Sequence, residues 1–343
     1  MRKLTSLLLI APLFISTVIA AEVPALAGHI AVANRQAGTV SIIDVSQDQV
    51  IRTLELTGGE LTAEPMYVVY KDNRLYVGDR ANHRVVVFDS FGFNQLASIS
   101  TGRGVFHMWA AANSQKLLVN NDIDNTFTII DTNQLVPTMT VSIPDDLVDA
   151  GFKPHDIVVS DDGEQWYVSL VDGVPGNDYV LQYQNNNNYP SLTGRLEVGG
   201  DPHLFLSPVR RHELWVASQD ASSLTRVNLS HFRAIRTKSI ANAHGIYGVG
   251  SRLYVTNIAD GGSSALNTLD ARRFRLIDSD DTPQPVPHNI SVTDDGQKIY
   301  ITHSGSTQNT VSVFTTHTQR GLPEYLTEIS VGANPFGLAF IPH

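Results

Sequence analysis

Five of the chain's 12 histidines stand at one point of a recurring phrase. "PHNISVTDDGQKIYIT" occupies 287–302, and "PHDIVVSDDGEQWYVS" occupies 154–169. Aligning such phrases gives one position per repeat: Met66, His107, His155, His203, His244, His288 and Phe336. Neutral imidazole is the commonest side-chain ligand for transition metals. A nitrogen-rich set without thiolate suits copper, zinc, nickel or iron, and copper binds such sets most strongly. His107, His155, His203, His244 and His288 are therefore the candidate metal ligands, with His155, His203 and His288 first among them. His303 ends a second aligned segment and is an additional candidate; His83, in a nearby polar loop, is a weaker one.

The segments leading into these positions are acidic. Asp145, Asp146, Asp149, Asp201, Asp278, Asp280 and Asp281 are expected on the same face as the histidines. Asp201 and Asp281 are assigned outer-shell or cation-steering roles, since carboxylates orient ligating imidazoles and concentrate cations. His155 and Asp156 are neighbours, and alternation along a strand turns neighbours to opposite sides. They are not expected to form a dyad. A structural reading of the histidine column also stands: an imidazole can satisfy a backbone group where a strand begins.

What could bring five distant histidines together is the repeat. "IAVAN", "LYVGD", "LLVNN", "WYVSL", "LWVAS", "LYVTN" and "IYITH" begin at 30, 75, 117, 166, 214, 253 and 299, so successive copies lie 39 to 49 residues apart. Each is a β-branched or aromatic run beside a polar turn, and helical patterning is nearly absent. Seven such units predict an all-β fold, a seven-bladed β-propeller with four-stranded antiparallel blades. The terminal segment "NPFGLAFIPH" lacks partners, and "HIAVANRQAGTVSIIDV" lacks an inner strand. Pairing N- and C-terminal strands would complete the seventh blade and remove an open edge. The first residue of each inner strand then lies at one mouth of a central channel, and the turn end receives no function. Trp109, Trp166 and Trp215 read as core between blades.

Met1-Arg2-Lys3, an apolar stretch and Val18-Ile19-Ala20 read as a signal peptide over 1–20, followed by a single domain over 21–343. The absence of Cys excludes disulfides, thiolate metal sites, covalent haem attachment and a cysteine nucleophile. With no disulfides, a bacterial periplasmic or secreted location without a membrane anchor is expected. The formal charge is −10, and removing Arg2 and Lys3 makes it −12. That balance disfavours nucleic acid and favours cations. No phosphate loop or dinucleotide fingerprint occurs, so no nucleotide cofactor is expected. "HSGS" at 303–306 lacks the strand–elbow–helix context of a serine hydrolase.

"LYVTN" and "PHNISVTDDGQKIYIT" resemble the YVTN-type propeller repeats of secreted bacterial and archaeal proteins, over essentially the whole mature chain. That group is similar to the propellers of nitrous oxide reductase, cytochrome cd1 nitrite reductase and lactonases. Nitrous oxide reductase holds a multinuclear copper centre on propeller histidines, and the resemblance extends that role to His107, His155, His203, His244 and His288. Met66 and Phe336 depart from the pattern, and no Cys exists for a second copper site. A complete enzyme of that kind is excluded, whereas a mononuclear or dinuclear site is compatible. The resemblance equally accommodates a lactonase-like hydrolase using the same channel, or a metal-free scaffold for a periplasmic protein partner. The leading expectation is binding of a metal ion or small ligand at the channel.

Overall fold

Each repeat folds as its turn chemistry dictates. Gly163 and Gly296 close the Asp-Asp-Gly turns with φ of 72°, a left-handed conformation that costs glycine nothing. The flanking β-branched and aromatic runs then pair antiparallel, as at Val158 with Tyr167 and Ser291 with Tyr300. The computed structural model describes residues 27–173, 177–186, 189–210, 212–259 and 262–343. The signal peptide expected over 1–20 lies outside them.

Seven four-stranded antiparallel sheets result. Blades are numbered from the inner strands: Pro65–Lys71, Val105–Ala110, Lys153–Val159, Pro202–Leu206, Ala243–Val249, Pro287–Val292 and Pro335–Ile341. Each inner strand touches those of both flanking blades, and the seventh touches the first, so the ring is closed. Blade 7 draws on both ends of the chain. Pro335–Ile341 pairs antiparallel with His29–Asn34, setting Ala31 opposite Ala339 and Val32 opposite Leu338. The predicted seven-bladed propeller and its closure are what the chain adopts. Among the described residues one short helix, Asp145–Asp149, interrupts the strands, and no helix is long and apolar enough to cross a membrane.

Hydrophobic clusters fill the gaps between blades. Trp166 and Val168 face blade 2 with Leu118 and Phe127. The intervening Tyr167 faces blade 4 with Leu214 and Val216. Alternation thus sends successive side chains of one strand into two different interfaces. Each large apolar side chain so buried contributes about 1.5–3 kcal/mol.

A local irregularity in the inner strands sets the site. In six blades one extra residue is inserted near the strand's start, as between Pro154 and Ile157 and between Pro287 and Ile290. Such a bulge re-aims side chains that alternation would separate. Hydroxyls of the second strand secure three bulges: Ser169 accepts from Asp156 N, Thr256 from Gly245 N and Thr302 from Asn289 N. Blade 4 has Ala217 instead, and Pro202–Leu206 pairs with no bulge.

Candidate functional site

Because of the bulges, two tiers of residues meet the axis. Pairing aligns Pro65, Val105, Pro154, Pro202, Ala243, Pro287 and Pro335 against the ends of the second strands. The following residues form the upper tier: Met66, Phe106, His155, His203, His244, His288 and Phe336. The lower tier is Tyr67, His107, Asp156, Gly245, Asn289 and Gly337, with no member in blade 4. His107 therefore lies one step deeper than the sequence alignment puts it, and Phe106 holds the upper position in blade 2. "RGVFH" lacks the Pro-His pair that marks the register in blades 3, 4 and 6.

The rings converge on the axis. Centroids of His155 and His203 lie 4.8 Å apart, those of His203 and His244 3.8 Å, and those of His244 and His288 4.4 Å. His107 reaches under them, 5.3 Å from His155 and 5.5 Å from His203. Gly245 permits part of this approach, since a Cβ there would stand 1.9 Å from His288 O. On the other arc Phe336 packs 4.2 Å from His288 and 6.1 Å from Phe106. His107, His203, His244 and His288 are buried.

Two carboxylates serve these imidazoles. Asp156 Oδ1 lies 2.9 Å from His107 Nδ1, while Oδ2 accepts from Leu204 N at 2.7 Å. Asp201 Oδ1 stands 3.1 Å from His155 Nε2 and 3.7 Å from His203 Nε2. Its other oxygen is 4.0 Å from His244 Nδ1. Asp201 adopts a φ of 53°, tolerable for Asp, so the chain turns sharply into Pro202 and sets this carboxylate over the rings. His155 and Asp156 form no pair with each other, although the bulge brings both to the axis; it aims Asp156 at His107, a partner that adjacency does not suggest.

Proton affinities divide the cluster. Burial depresses His155, but the hydrogen bond and charge of Asp201, with Asp156, more than offset it and raise its pKa above 6.5. Burial pushes His203 down to about 3 against the pull of Asp201, with His155 and His107 reinforcing the fall. Burial and then the neighbouring imidazoles hold His244 and His288 well below the ordinary value. Burial also lowers His107, although Asp156 opposes it. Asp201 lies far below the carboxylate range: burial resists, and the His155 hydrogen bond and His203 charge prevail. The carboxylates thus favour the protonated form of His155, while burial disfavours it at the other four rings.

Tautomers follow from the partners. Asp156 accepts from His107 Nδ1, and Gln219 Oε1 lies 2.9 Å from His244 Nδ1. Each ring then presents a bare Nε2 lone pair, and both Nε2 atoms are buried with no hydrogen-bond partner. His155 Nε2 and His203 Nε2 stand 3.4 Å apart. One ligand atom from each of His107, His155 and His203 lies within 4.8 Å of the others, and the same holds for Asp201, His203 and His244. Tetrahedral coordination with metal–nitrogen bonds near 2.05 Å spaces its ligands by roughly 3.3 Å. The donor types suit a transition-metal ion, and the 3.4 Å between His155 Nε2 and His203 Nε2 matches that spacing.

Not every residue singled out from the sequence joins. His303 is enclosed within its blade, its Nδ1 2.9 Å from Pro285 O and its Nε2 2.8 Å from Ser312 Oγ. Asp278, Asp280 and Asp281 belong to the outermost strand of blade 5, Arg275–Thr282, rather than to a loop at the channel. Asp146 pairs with Arg195 on the outer strand of blade 3. The acidic mouth is instead built from Asp122, Asp172, Asp178, Asp201 and Asp220, around a cavity of about 670 Å³ that reaches His155. Arg80 pairs with Asp122 and Lys153 with Asp172; among the described residues Asp178 and Asp220 pair with no Lys or Arg. Asp172 and Asp220 each lie two residues beyond the second-strand residue opposite an inner-strand proline, Leu170 and Ser218, and that shared place in the repeat was the available signal.

Fold and site together define a β-propeller repeat protein with a histidine-filled axis. A model of the NHL repeat matches residues 63–88, within blade 1. No curated protein matches the chain. Solved structures of similar shape include a protein of unknown function from Desulfotomaculum acetoxidans, 12% identical over 92% of this chain and 99% of that one, with a TM-score of 0.72. The periplasmic gluconolactonase PpgL of Pseudomonas aeruginosa is 15% identical over 92% and 99%, with a TM-score of 0.70. A 6-phosphogluconolactonase assignment from Bacteroides fragilis, marked provisional in its name, is 16% identical over 94% and 100%, also at 0.70.

Proposed function

We propose that this chain is an exported YVTN-type propeller that binds a transition-metal ion, copper foremost, on His107, His155 and His203. Asp201 supplies an oxygen on the mouth side, and His244 stands beside it. The observation that carries this reading is the pair of buried, unpartnered Nε2 lone pairs on His107 and His244, in one cluster with the 3.4 Å His155–His203 contact. Bare acceptors leave a buried polar group uncompensated, and a cation held with His155 and His203 corrects that for His107. Asp156 on His107 Nδ1 is the carboxylate–histidine arrangement that fixes the tautomer of a ligating ring. The acidic mouth draws cations inward. Export rests on the signal-peptide pattern at 1–20, and a periplasmic relative of the same shape is consistent with it.

Elemental analysis of untagged protein from the periplasmic fraction tests the reading. About one equivalent of a single metal is expected, lost in the His155→Ala/His203→Ala variant with its fold retained. A metal-free protein that takes up neither copper nor zinc in titration would refute it. A second reading, lactone hydrolysis, is favoured by the His155–Asp201 pair at 3.1 Å and by two neighbours whose names carry that activity. It predicts turnover of a sugar lactone by metal-free protein, abolished by His155→Ala.

A further inference from the structure

The histidine layer does not end the channel. On its far side, toward the hairpin turns, lies a second cavity of about 490 Å³ that touches His107, His203 and Asp156 from beneath. His155 and Asp201 border the mouth cavity and are absent from the walls of this one. The imidazoles therefore partition the axis into two chambers of different chemistry.

Five aromatic residues, Tyr67, Tyr70, Trp109, Tyr247 and Phe340, contribute to the lower walls. Trp109 is only half-buried, edge-on to Phe205 at 5.9 Å, whereas Trp166 and Trp215 are sealed between blades. The wall contains no Lys or Arg, and its charged members are Asp156, Asp161 and Asp294. Asp161 and Asp294 occupy the Asp-Asp-Gly turns and are exposed at the rim. His107 Nε2, buried and without a partner, is a bare acceptor in a residue of the chamber wall. Aromatic faces attract cations through their quadrupoles, and a desolvated cage of them recognises organic ammonium groups. Carboxylates without competing cations add to that preference and reject anions.

We infer that the turn-side chamber is a second binding site, for a small organic cation with an apolar or aromatic body. Its body lies among the tyrosines and Trp109, and its ammonium is held by the rim carboxylates Asp161 and Asp294. This site does not depend on the metal reading.

The test uses chelator-treated full-length protein and three probes of one shape: 2-phenylethylammonium, 2-phenylethanol and 3-phenylpropanoate. Calorimetry and tryptophan fluorescence follow binding. The ammonium is expected to bind about tenfold tighter than the alcohol, with no detectable binding of the carboxylate. Asp161→Asn/Asp294→Asn should narrow the ammonium-to-alcohol ratio at least threefold. Trp109→Phe should remove the fluorescence response while calorimetry still reports binding. Equal affinity for all three probes, or no heat with any, overturns the inference. So does binding that ignores Asp161→Asn/Asp294→Asn but disappears in Asp178→Asn/Asp220→Asn, which would place the probe in the mouth. Because metal is absent throughout, the outcome is the same whether or not the histidine layer ever takes up an ion.

Discussion

Four consecutive blades place imidazoles in the upper tier and three consecutive blades place hydrocarbon or thioether there. His155, His203, His244 and His288 form one arc; Phe336, Met66 and Phe106 form the other. The two are built on the same backbone, yet they do opposite things. The apolar arc packs Phe336 between Phe106 and His288, and in a low-dielectric surrounding every uncompensated lone pair of the polar arc costs more. A sevenfold ring of histidines would be wider and wetter. The half-and-half ring concentrates its donors on one side, where Asp156 and Asp201 can reach them.

The largest effect is expected from removing the support of the polar arc. Asp156→Ala leaves His107 Nδ1 and Leu204 N without their acceptor and should cost about 4 kcal/mol, measured by urea unfolding. A loss below 1 kcal/mol would mean that the carboxylate is not holding the cluster. Next comes the apolar arc. Phe336→Ala empties the space against His288 and should cost about 3 kcal/mol, seen as a lowered Tm. If the two arcs were independent, this change would leave metal uptake untouched; coupling predicts weaker uptake as water enters.

A smaller and opposite effect is expected at the entry to His288. Val286 holds a φ of 55°, a conformation hostile to a β-branched residue. Val286→Asn should stabilise the protein by about 1 kcal/mol by relieving that strain, and thermal unfolding checks the sign. The smallest effect contrasts Asp201 with a carboxylate outside the arcs. Burial, then Asp278, Asp281 and Glu324, raise Asp280 from 3.8 to about 6. Between those values the folded chain binds the proton that the unfolded chain has lost, so stability falls as pH rises through that window. Asp280→Asn should match wild type below the window and exceed it above. A variant with an unchanged stability–pH slope would discard this.

Much of the architecture was legible because a propeller writes one period seven times. Each "YVS" or "YVT" word places a hydroxyl where a bulge needs one, as Ser169 and Thr256 do. The site was harder to read for the same reason. A bulge adds a residue without adding a repeat, which is why His107 aligned one step too high. Alternation hid Asp156, whose direction the bulge reverses relative to a regular strand. Asp281 read as a loop residue because "RLIDSDDT" is a polar outer strand, where solvent on one side removes the apolar pattern. The exposed part of Trp109 was invisible as well, since a half-lined chamber leaves no periodic mark.

Blade 7 borrows its innermost strand from a segment that follows all six other blades, and that segment carries Phe336. Until residue 341 has been synthesised, the ring has a gap one strand wide, where Phe336 packs against His288 in the closed form. On the proposed metal reading, ion selection would wait for the moment of circularisation, in whichever compartment the finished polypeptide folds. Competition among metals would then be decided by what that compartment offers, not by what surrounds the ribosome.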